Sequence, residues 1–349
     1  MVEVAAGTQS PATADTETLD PARLVAEVEA LGERLAAARR SVGRVILGQT
    51  EVVEQTLVTL LSGGHLLLVG VPGLGKTLLV QTLGTVLGLD AKRVQFTPDL
   101  MPADILGSEV LEETAEADGT RGRRFRFLRG PVFCQLLMAD EINRASPRTQ
   151  SALLQAMQER QVAVAGEVQP LPAPFHVLAT QNPIEQEGTY PLPEAQLDRF
   201  LLEVEVGYPD LEAERAMLLA TTGATEARAV PVMTDAELMA AQRLIRRIPV
   251  GESVLEAILR LVRGARPETS GIEGVRRNLA WGPGPRAAQA LMLATRARAV
   301  LEGRLAPSVD DVAALAEPVL RHRMALNFAA RADGVRIAEV IETLKGQLG

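Results

Sequence analysis

The chain has 349 residues, of which 47% are hydrophobic and 23% are charged, and its formal net charge is −8. This composition is typical of a folded globular protein whose length predicts two domains, and the acidic balance argues against nucleic acid as a partner. There is no apolar run of the roughly 18 residues that a membrane span needs, no signal-peptide pattern, and no zinc-ligand spacing among one cysteine and three histidines, so we expect no membrane insertion and a cytoplasmic location.

The N-terminal region contains a polar tail followed by a helix. Residues 1–20 are rich in Thr, Ala and acids and predict a disordered tail. Pro21 begins a predicted helix, because apolar residues recur at helical spacing between positions 24 and 35.

Strand-length apolar runs alternate with helical stretches between residues 41 and 209. The predicted strands are residues 65–69, 93–96, 136–139, 175–179 and 203–206. The helices between them include residues 77–87 and 147–160, where Ser146 suits the N-cap and Pro147 the first helical position. This alternation predicts an α/β domain over residues 21–209, with a parallel sheet between two layers of helices.

After Pro209 the strand pattern ends. Helical periodicity then predicts helices at residues 235–247, 253–263, 285–301, 309–322 and 334–347, with prolines between several of them. We therefore predict a linker at residues 210–232 and a C-terminal, all-helical domain at residues 233–349.

Residues 70–77 match the phosphate-binding pattern G-x-x-x-x-G-K-[ST], directly after a predicted strand and before a predicted helix. Glycines permit close backbone approach, and the loop amides and helix N-terminus attract phosphate. Lys76 is expected to reach the β and γ phosphates, and Thr77 to bind Mg²⁺. The predicted nucleotide-binding residues are Gly70, Pro72, Gly73, Leu74, Gly75, Lys76, Thr77 and Leu78. The alternative is a glycine-rich turn without a ligand.

Two acids follow the predicted strand at residues 136–139. Asp140 is expected to hold Mg²⁺, and Glu141 to polarise the water that attacks the γ phosphate. Carboxyl ends of parallel strands share one crevice, so both motifs should meet there. A solvated acidic strand end is the alternative. Glu141 beside Asp140, together with the extra strand between the two motifs, favours a ring motor over a simple kinase. The chain has no Asn-Lys-x-Asp motif, which GTPases use to recognise guanine, so a GTPase is disfavoured.

Several segments together resemble the MoxR family of AAA+ ATPases. They are residues 140–159, 179–183, 188–200, 284–287 and 318–323, within a resemblance that spans roughly residues 41–330. The resemblance implies a sheet of strand order 5-1-4-3-2 followed by a helical lid, with ATP and Mg²⁺ bound. It also implies a ring of copies, expected to be a hexamer, that matures or activates partner complexes, with a von Willebrand factor A-type domain protein as a partner.

The resemblance assigns further roles. Asn182 is similar to sensor 1, which orients the attacking water, and Arg199 to an arginine finger that reaches the neighbouring subunit's γ phosphate. Arg286 is similar to sensor 2, which reaches the nucleotide of its own subunit. Gly48 and Gln49 resemble the segment that lines the adenine pocket.

Each of these roles has a plainer alternative. Asn182 could simply form an Asn-Pro turn, and Arg199 could make a surface ion pair with Asp198 or Glu203. Arg286 could be a solvated arginine at a helix start, and Gly48 an ordinary turn glycine.

Two insertions also resemble the family's pattern. Residues 98–107 resemble the insert that the family carries within the second helix of its ATPase domain, and residues 161–174 resemble a hairpin placed before sensor 1. Such loops would face the pore or the client, whereas the arginine-rich residues 121–129 are interpreted as an exposed strand face and a loop. A DNA motor is an alternative function, but the hairpin contains Glu167 and no basic residue. An ATP-gated scaffold without turnover is another.

Overall fold

The computed structural model describes residues 21–115, 121–164, 166–185, 188–223 and 227–348, so the predicted tail at residues 1–20 lies outside it. The helices are α1 (Pro21–Gly43), α2 (Thr50–Leu61), α3 (Lys76–Val86), α4 (Pro102–Leu106), α5 (Pro147–Glu159), α6 (Glu194–Leu197), α7 (Leu211–Thr222), α8 (Asp235–Arg247), α9 (Glu252–Gly264), α10 (Glu273–Asn278), α11 (Pro285–Leu301), α12 (Val309–Leu320), α13 (Phe328–Ala332) and α14 (Ile337–Lys345). The strands are β1 (Leu66–Val69), β2 (Ala91–Gln95), β3 (Gly107–Ala115), β4 (Arg121–Arg129), β5 (Leu136–Asp140), β6 (Gln161–Val164), β7 (Glu167–Pro170), β8 (His176–Gln181), β9 (Leu202–Glu205), β10 (Leu279–Trp281) and β11 (Ala325–Leu326). None of the described helices has the length and apolar character to cross a membrane.

The central sheet is parallel and has the order β2-β5-β8-β1-β9. Numbered by their own sequence in the chain, these five strands read 5-1-4-3-2 from the β9 edge, which confirms the predicted order. The three inner strands are almost wholly buried because helices cover both faces of the sheet.

Each face of the sheet contributes to a separate hydrophobic core. Since successive strand residues point to opposite faces, Leu66 and Leu68 pack with α1, α2 and α3, whereas Leu67 packs with Leu153 and Met157 of α5. The sheet is therefore held rigidly from both sides, and its strand ends form a fixed platform for loops.

The insertion after β2 is longer than the sequence predicts. Residues 98–107 contain the short helix α4, and Gly107 then begins β3, which pairs antiparallel with β4 from Gly107 opposite Arg129 to Ala115 opposite Arg121. The arginine-rich residues 121–129 are thus one strand of a two-stranded ribbon. Within residues 161–174, β6 and β7 form the predicted hairpin.

The C-terminal region, here called the lid (residues 233–348), is not all-helical. Strands β10 and β11 pair antiparallel between its helices, which corrects that prediction. The predicted linker at residues 210–232 contains helix α7. Leu291 of α11 and Leu315 of α12 belong to the same buried cluster as Leu57 of α2 and Leu83 of α3, so the lid shares a core with the α/β domain.

Candidate functional site

The phosphate loop joins β1 to α3 through left-handed glycines. Gly73 has φ 86° and Gly75, the N-cap of α3, has φ 73°, a region that strongly favours glycine. A Cβ on Gly70 would lie 2.5 Å from the carbonyl oxygen of Val206. The sequence folds in this way because only glycine tolerates these angles and this close approach.

The segment at Gly48 and Gln49 contacts the phosphate loop. Gln49 Nε2 donates a hydrogen bond to the Leu74 carbonyl at 2.9 Å. Gly48 has φ 72°, and a Cβ there would lie 2.2 Å from the Cβ of Ala213 in α7. This segment is therefore wedged between α7 and the phosphate loop, although neither residue is among those that line the cleft beside the loop.

Lys76 is directed into the loop rather than toward solvent. Its Nζ donates to the carbonyls of Gly70 and Val71. Burial lowers the pKa of Lys76, while the negative charges of Asp140 and Glu141 raise it. The ammonium group thus lies between the loop and the acidic strand end.

Asp140 ends β5 and is only 9% exposed. Its Oδ1 accepts a hydrogen bond from Thr180 Oγ1 at 2.6 Å. Its Oδ2 accepts two from Arg93, from Nε at 3.1 Å and from Nη2 at 2.6 Å. Neither Arg93 nor Thr180 was predicted from the sequence, although each lies in a strand that pairs with β5.

Glu141 adopts a left-handed backbone, with φ 55° and ψ 50°. Its amide donates to Thr180 Oγ1 at 2.8 Å, and its carboxylate accepts a hydrogen bond from Gln95 Nε2 at 2.8 Å. Arg144 forms an ion pair with it at 3.1 Å. Such a conformation costs a non-glycine residue roughly 1 kcal/mol or more, and strain of this kind often marks a functional position.

Asn182 follows β8 and is 8% exposed. Its Oδ1 accepts the Ile184 amide at 3.2 Å, as an Asn-Pro turn would predict, and its Nδ2 donates to Glu185 at 3.3 Å. Asn182 therefore forms the turn and also lies beside Asp140 and Glu141, with which it lines one cleft.

A cleft of about 400 Å³ brings most of the predicted site together. Its walls are Pro72, Gly73, Leu74, Gly75, Lys76, Thr77, Leu78, Arg93, Gln95, Asp140, Glu141, Thr180 and Asn182. Backbone amides, a lysine, two carboxylates and an amide therefore converge on one space that can hold a polyphosphate and a water.

Arg199 and Arg286 lie elsewhere, in a second pocket of about 280 Å³. Arg286, the second residue of α11, has its Nη1 3.7 Å from Asp198 Oδ2. Burial and then the charge of Arg286 lower the pKa of Arg199, which Glu159 partly offsets. Arg286 was expected to reach the nucleotide of its own subunit, but here the shared packing between lid and sheet places it beside Arg199 and outside the walls of the cleft.

The alternative for Arg199, a surface ion pair with Asp198 or Glu203, is not among the ion pairs that the described residues form. Asp198 is instead held by Arg323, whose Nε lies 2.7 Å from its Oδ1. Arg323 is 3% exposed and also donates to the Phe200 carbonyl at 2.6 Å and the Leu201 carbonyl at 3.1 Å. This lid arginine therefore fixes the backbone on both sides of Arg199.

The Thr77 hydroxyl and the Asp140 carboxylate both line the cleft, and both are the oxygen ligands that Mg²⁺ prefers. Within the part of the chain that the structure describes, no cluster of three or more His, Cys, Asp or Glu side chains could hold a metal by itself. The ligand set fits an ion bound jointly with phosphate oxygens, as Mg²⁺ commonly is.

Comparison with known proteins agrees with this architecture. Residues 65–202 match the ATPase family associated with various cellular activities (AAA), and residues 273–344 match the AAA lid domain. Chaperone MoxR1 of Mycobacterium tuberculosis is 42% identical over 313 residues, covering 89% of this chain and 80% of that protein. Protein MoxR of Paracoccus denitrificans is 32% identical over 84% of this chain and 89% of that protein. The crystal structure of a candidate ATPase from Cytophaga hutchinsonii superposes with a TM-score of 0.84 at 36% identity, covering 93% of this chain and 97% of that one. The chain belongs to the MoxR family of AAA+ ATPases.

Proposed function

We propose that this protein hydrolyses ATP in a Mg²⁺-dependent reaction within a ring of identical subunits, a hexamer. Each nucleotide lies in the cleft of one subunit and is contacted by Arg199 and Arg286 of the next. The observation that carries this proposal is the separation of the two arginines from the cleft of their own chain, in a pocket that shares no lining residue with it.

Within the cleft, the phosphate loop and Lys76 bind the β and γ phosphates. Thr77 and Asp140 hold Mg²⁺, which neutralises phosphate charge when bound. Asn182 orients the attacking water and Glu141 accepts its proton. The water oxygen bonds to the γ phosphorus, the bond from that phosphorus to the bridging oxygen breaks, and its electron pair leaves with ADP while phosphate is released.

A triphosphate also needs positive charge on its outer side as the bond breaks. Arginine supplies this charge in related phosphoryl-transfer sites and accelerates turnover by about 10³ to 10⁵. Arg93 lines the cleft but is already bound to Asp140, and Arg199 and Arg286 lie in a separate pocket. A neighbouring copy therefore has to provide the arginine for the outer side of the triphosphate. An isolated subunit should therefore hydrolyse ATP poorly.

The work done with this energy is chaperone-like remodelling of partner protein complexes in the cytoplasm. This part of the proposal is supported by membership of the MoxR family and by the name of the Mycobacterium relative, Chaperone MoxR1. The β3–β4 ribbon and the β6–β7 hairpin are the surfaces that contact the client. A protein with a von Willebrand factor A-type domain is the expected partner.

The test compares the wild type with Glu141→Gln, which keeps the size and the polar contacts of the side chain but removes the base. We expect the variant to bind ATP with unchanged affinity and to release phosphate at least a hundredfold more slowly. Equal, background-level phosphate release from both proteins, at concentrations where rings form, would favour a non-hydrolysing scaffold.

A further inference from the structure

Arg160 stands at the end of α5 in a conformation that arginine rarely adopts. Its φ is 53° and its ψ is 29°, in the left-handed region where helices usually place glycine or asparagine. In the described ranges, Glu141 is the other non-glycine residue with positive φ. Glu141 has a proposed catalytic role, so the strain at Arg160 prompts the question of what its side chain does.

The Arg160 side chain is exposed and lines the same pocket as Arg199 and Arg286. Its Nη2 donates one long hydrogen bond, 3.3 Å, to the Gly63 carbonyl. Gly63, which accepts this bond, lines the same pocket, so the guanidinium lies at the pocket wall. The Arg160 guanidinium is therefore anchored only weakly to its own subunit.

The pocket has an excess of positive charge. Its lining includes four arginines, Arg160, Arg199, Arg286 and Arg323, against one carboxylate, Asp198, which is already bound by Arg323. Converging guanidinium groups without matching carboxylates repel one another, and an anion with several oxygens relieves that repulsion. The terminal phosphates of a nucleotide are such an anion.

We propose that Arg160 is a third arginine of this pocket that contacts the terminal phosphates of the nucleotide held by the adjacent subunit. This inference rests on the proposed function, because it needs a second copy of the chain facing the pocket. It adds to that function by assigning a residue outside the lid and outside the Arg199 segment, so that three separate elements of one subunit converge on its neighbour's substrate.

Arg160→Gly tests the proposal, because glycine suits the left-handed position better than arginine does. If Arg160 were only structural, the change would leave turnover intact and would relieve backbone strain. We expect instead an unchanged or higher melting temperature together with at least a tenfold fall in kcat for ATP. Arg160→Lys, which keeps the charge, should retain more turnover than the glycine variant.

Arg148→Ala is the matched control, since Arg148 is an exposed arginine at the opposite end of α5. Its kcat should equal that of the wild type. Turnover of Arg160→Gly within twofold of the wild type would overturn the inference. If Arg199→Ala is inactive while Arg160→Gly is active, only the inference fails; if both variants are fully active, the proposed function fails as well.

Mixed rings test whether Arg160 acts on a neighbour. Subunits with Lys76→Ala carry an intact Arg160 but no working cleft of their own, so adding them to Arg160→Gly subunits should restore part of the lost phosphate release. An Arg199→Ala mixture with the same partner serves as the reference. Recovery in the reference but not with Arg160→Gly would place Arg160 in its own subunit's chemistry and contradict the proposal.

Discussion

Thr180 connects the two acids of the cleft through a single hydroxyl group. Its Oγ1 donates to Asp140 and accepts the Glu141 amide, and the residue is 1% exposed. One buried hydroxyl therefore sets the direction of the Asp140 carboxylate and stabilises the left-handed turn at Glu141. A buried donor–acceptor of this kind is costly to remove, because both partners lose their hydrogen bonds without access to water.

Thr180→Val keeps the shape of the side chain but removes the hydroxyl. We expect the free energy of unfolding to fall by about 1–3 kcal/mol and kcat to fall about tenfold, since the orientations of Asp140 and Glu141 both loosen. Chemical denaturation and steady-state phosphate release measure the two effects. Thr180→Ser keeps the hydroxyl and should lose much less of either; equal losses in both variants would refute the account of Thr180.

At this scale the sequence predicted the phosphate loop and the two acids, because their geometry follows from the local residue pattern. Ser146 is likewise the N-cap of α5, accepting the Thr149 amide. Arg93 and Thr180 were not predicted, because each acts through hydrogen bonds to Asp140 on a neighbouring strand. Nothing in the local pattern distinguishes them from other polar strand residues.

At the scale of elements, strand β9 carries Glu203 at the contact between the edge of the sheet and the lid. Burial raises the pKa of Glu203 to about 7, which Arg321 opposes and Glu205 reinforces. The nearby charged groups come from β9 itself, α2, α11, α12, the single helical turn after α12, and α14. They are Glu51, Glu54, Glu205, Arg298, Glu317, Arg321, Arg323 and Lys345. Ionised Glu203 is therefore an unfavourable charge at the contact between the sheet edge and the lid.

The direction of the pH effect follows from the raised pKa. The unfolded chain loses this proton near the ordinary value of 4.5, and the folded chain retains it to about 7. Stability thus falls as pH rises through this window, and the whole cost is present above it. We expect Glu203→Gln to raise the free energy of unfolding at about pH 8, on the order of 1 kcal/mol, and to have little effect near pH 4.

Glu205→Gln is the control on the same strand, because Glu205 is exposed and forms an ion pair with Arg321. It should not stabilise the protein at any pH. Denaturation curves at several pH values decide the matter, and a Glu203→Gln effect that does not depend on pH would show that Glu203 is not protonated in the folded state.

Helices were the most predictable elements. Helix α8 begins and ends at the predicted residues 235 and 247, since capping residues and apolar periodicity agree there. The β3–β4 ribbon was only half predicted, because its pairing joins residues up to 22 positions apart and depends on register rather than on local pattern. Short β10 and β11 were missed for the same reason.

At the scale of the whole molecule, the hydrophobic core shared by the lid and the α/β domain determines how the proposed site is arranged. It fixes α11 against α2 and so determines that Arg286 faces the same pocket as Arg199. The sequence identified both arginines but could not give the orientation of the lid, which depends on long-range packing. The sequence suggested that Arg286 acts within its own subunit, whereas in this structure it lies beside Arg199, so its action on the neighbouring subunit is a proposal.

The central claim is that each nucleotide is shared by two copies of the chain, and mixing two inactive variants tests it directly. Lys76→Ala removes phosphate binding and Arg199→Ala removes the arginine supplied to the neighbour, so each protein alone should be nearly inactive. In a ring mixed in equal amounts, about a quarter of the interfaces should join an intact cleft to an intact Arg199. We expect phosphate release to recover toward that fraction of the wild-type rate. A mixture that forms mixed rings yet remains as inactive as its components would contradict the account.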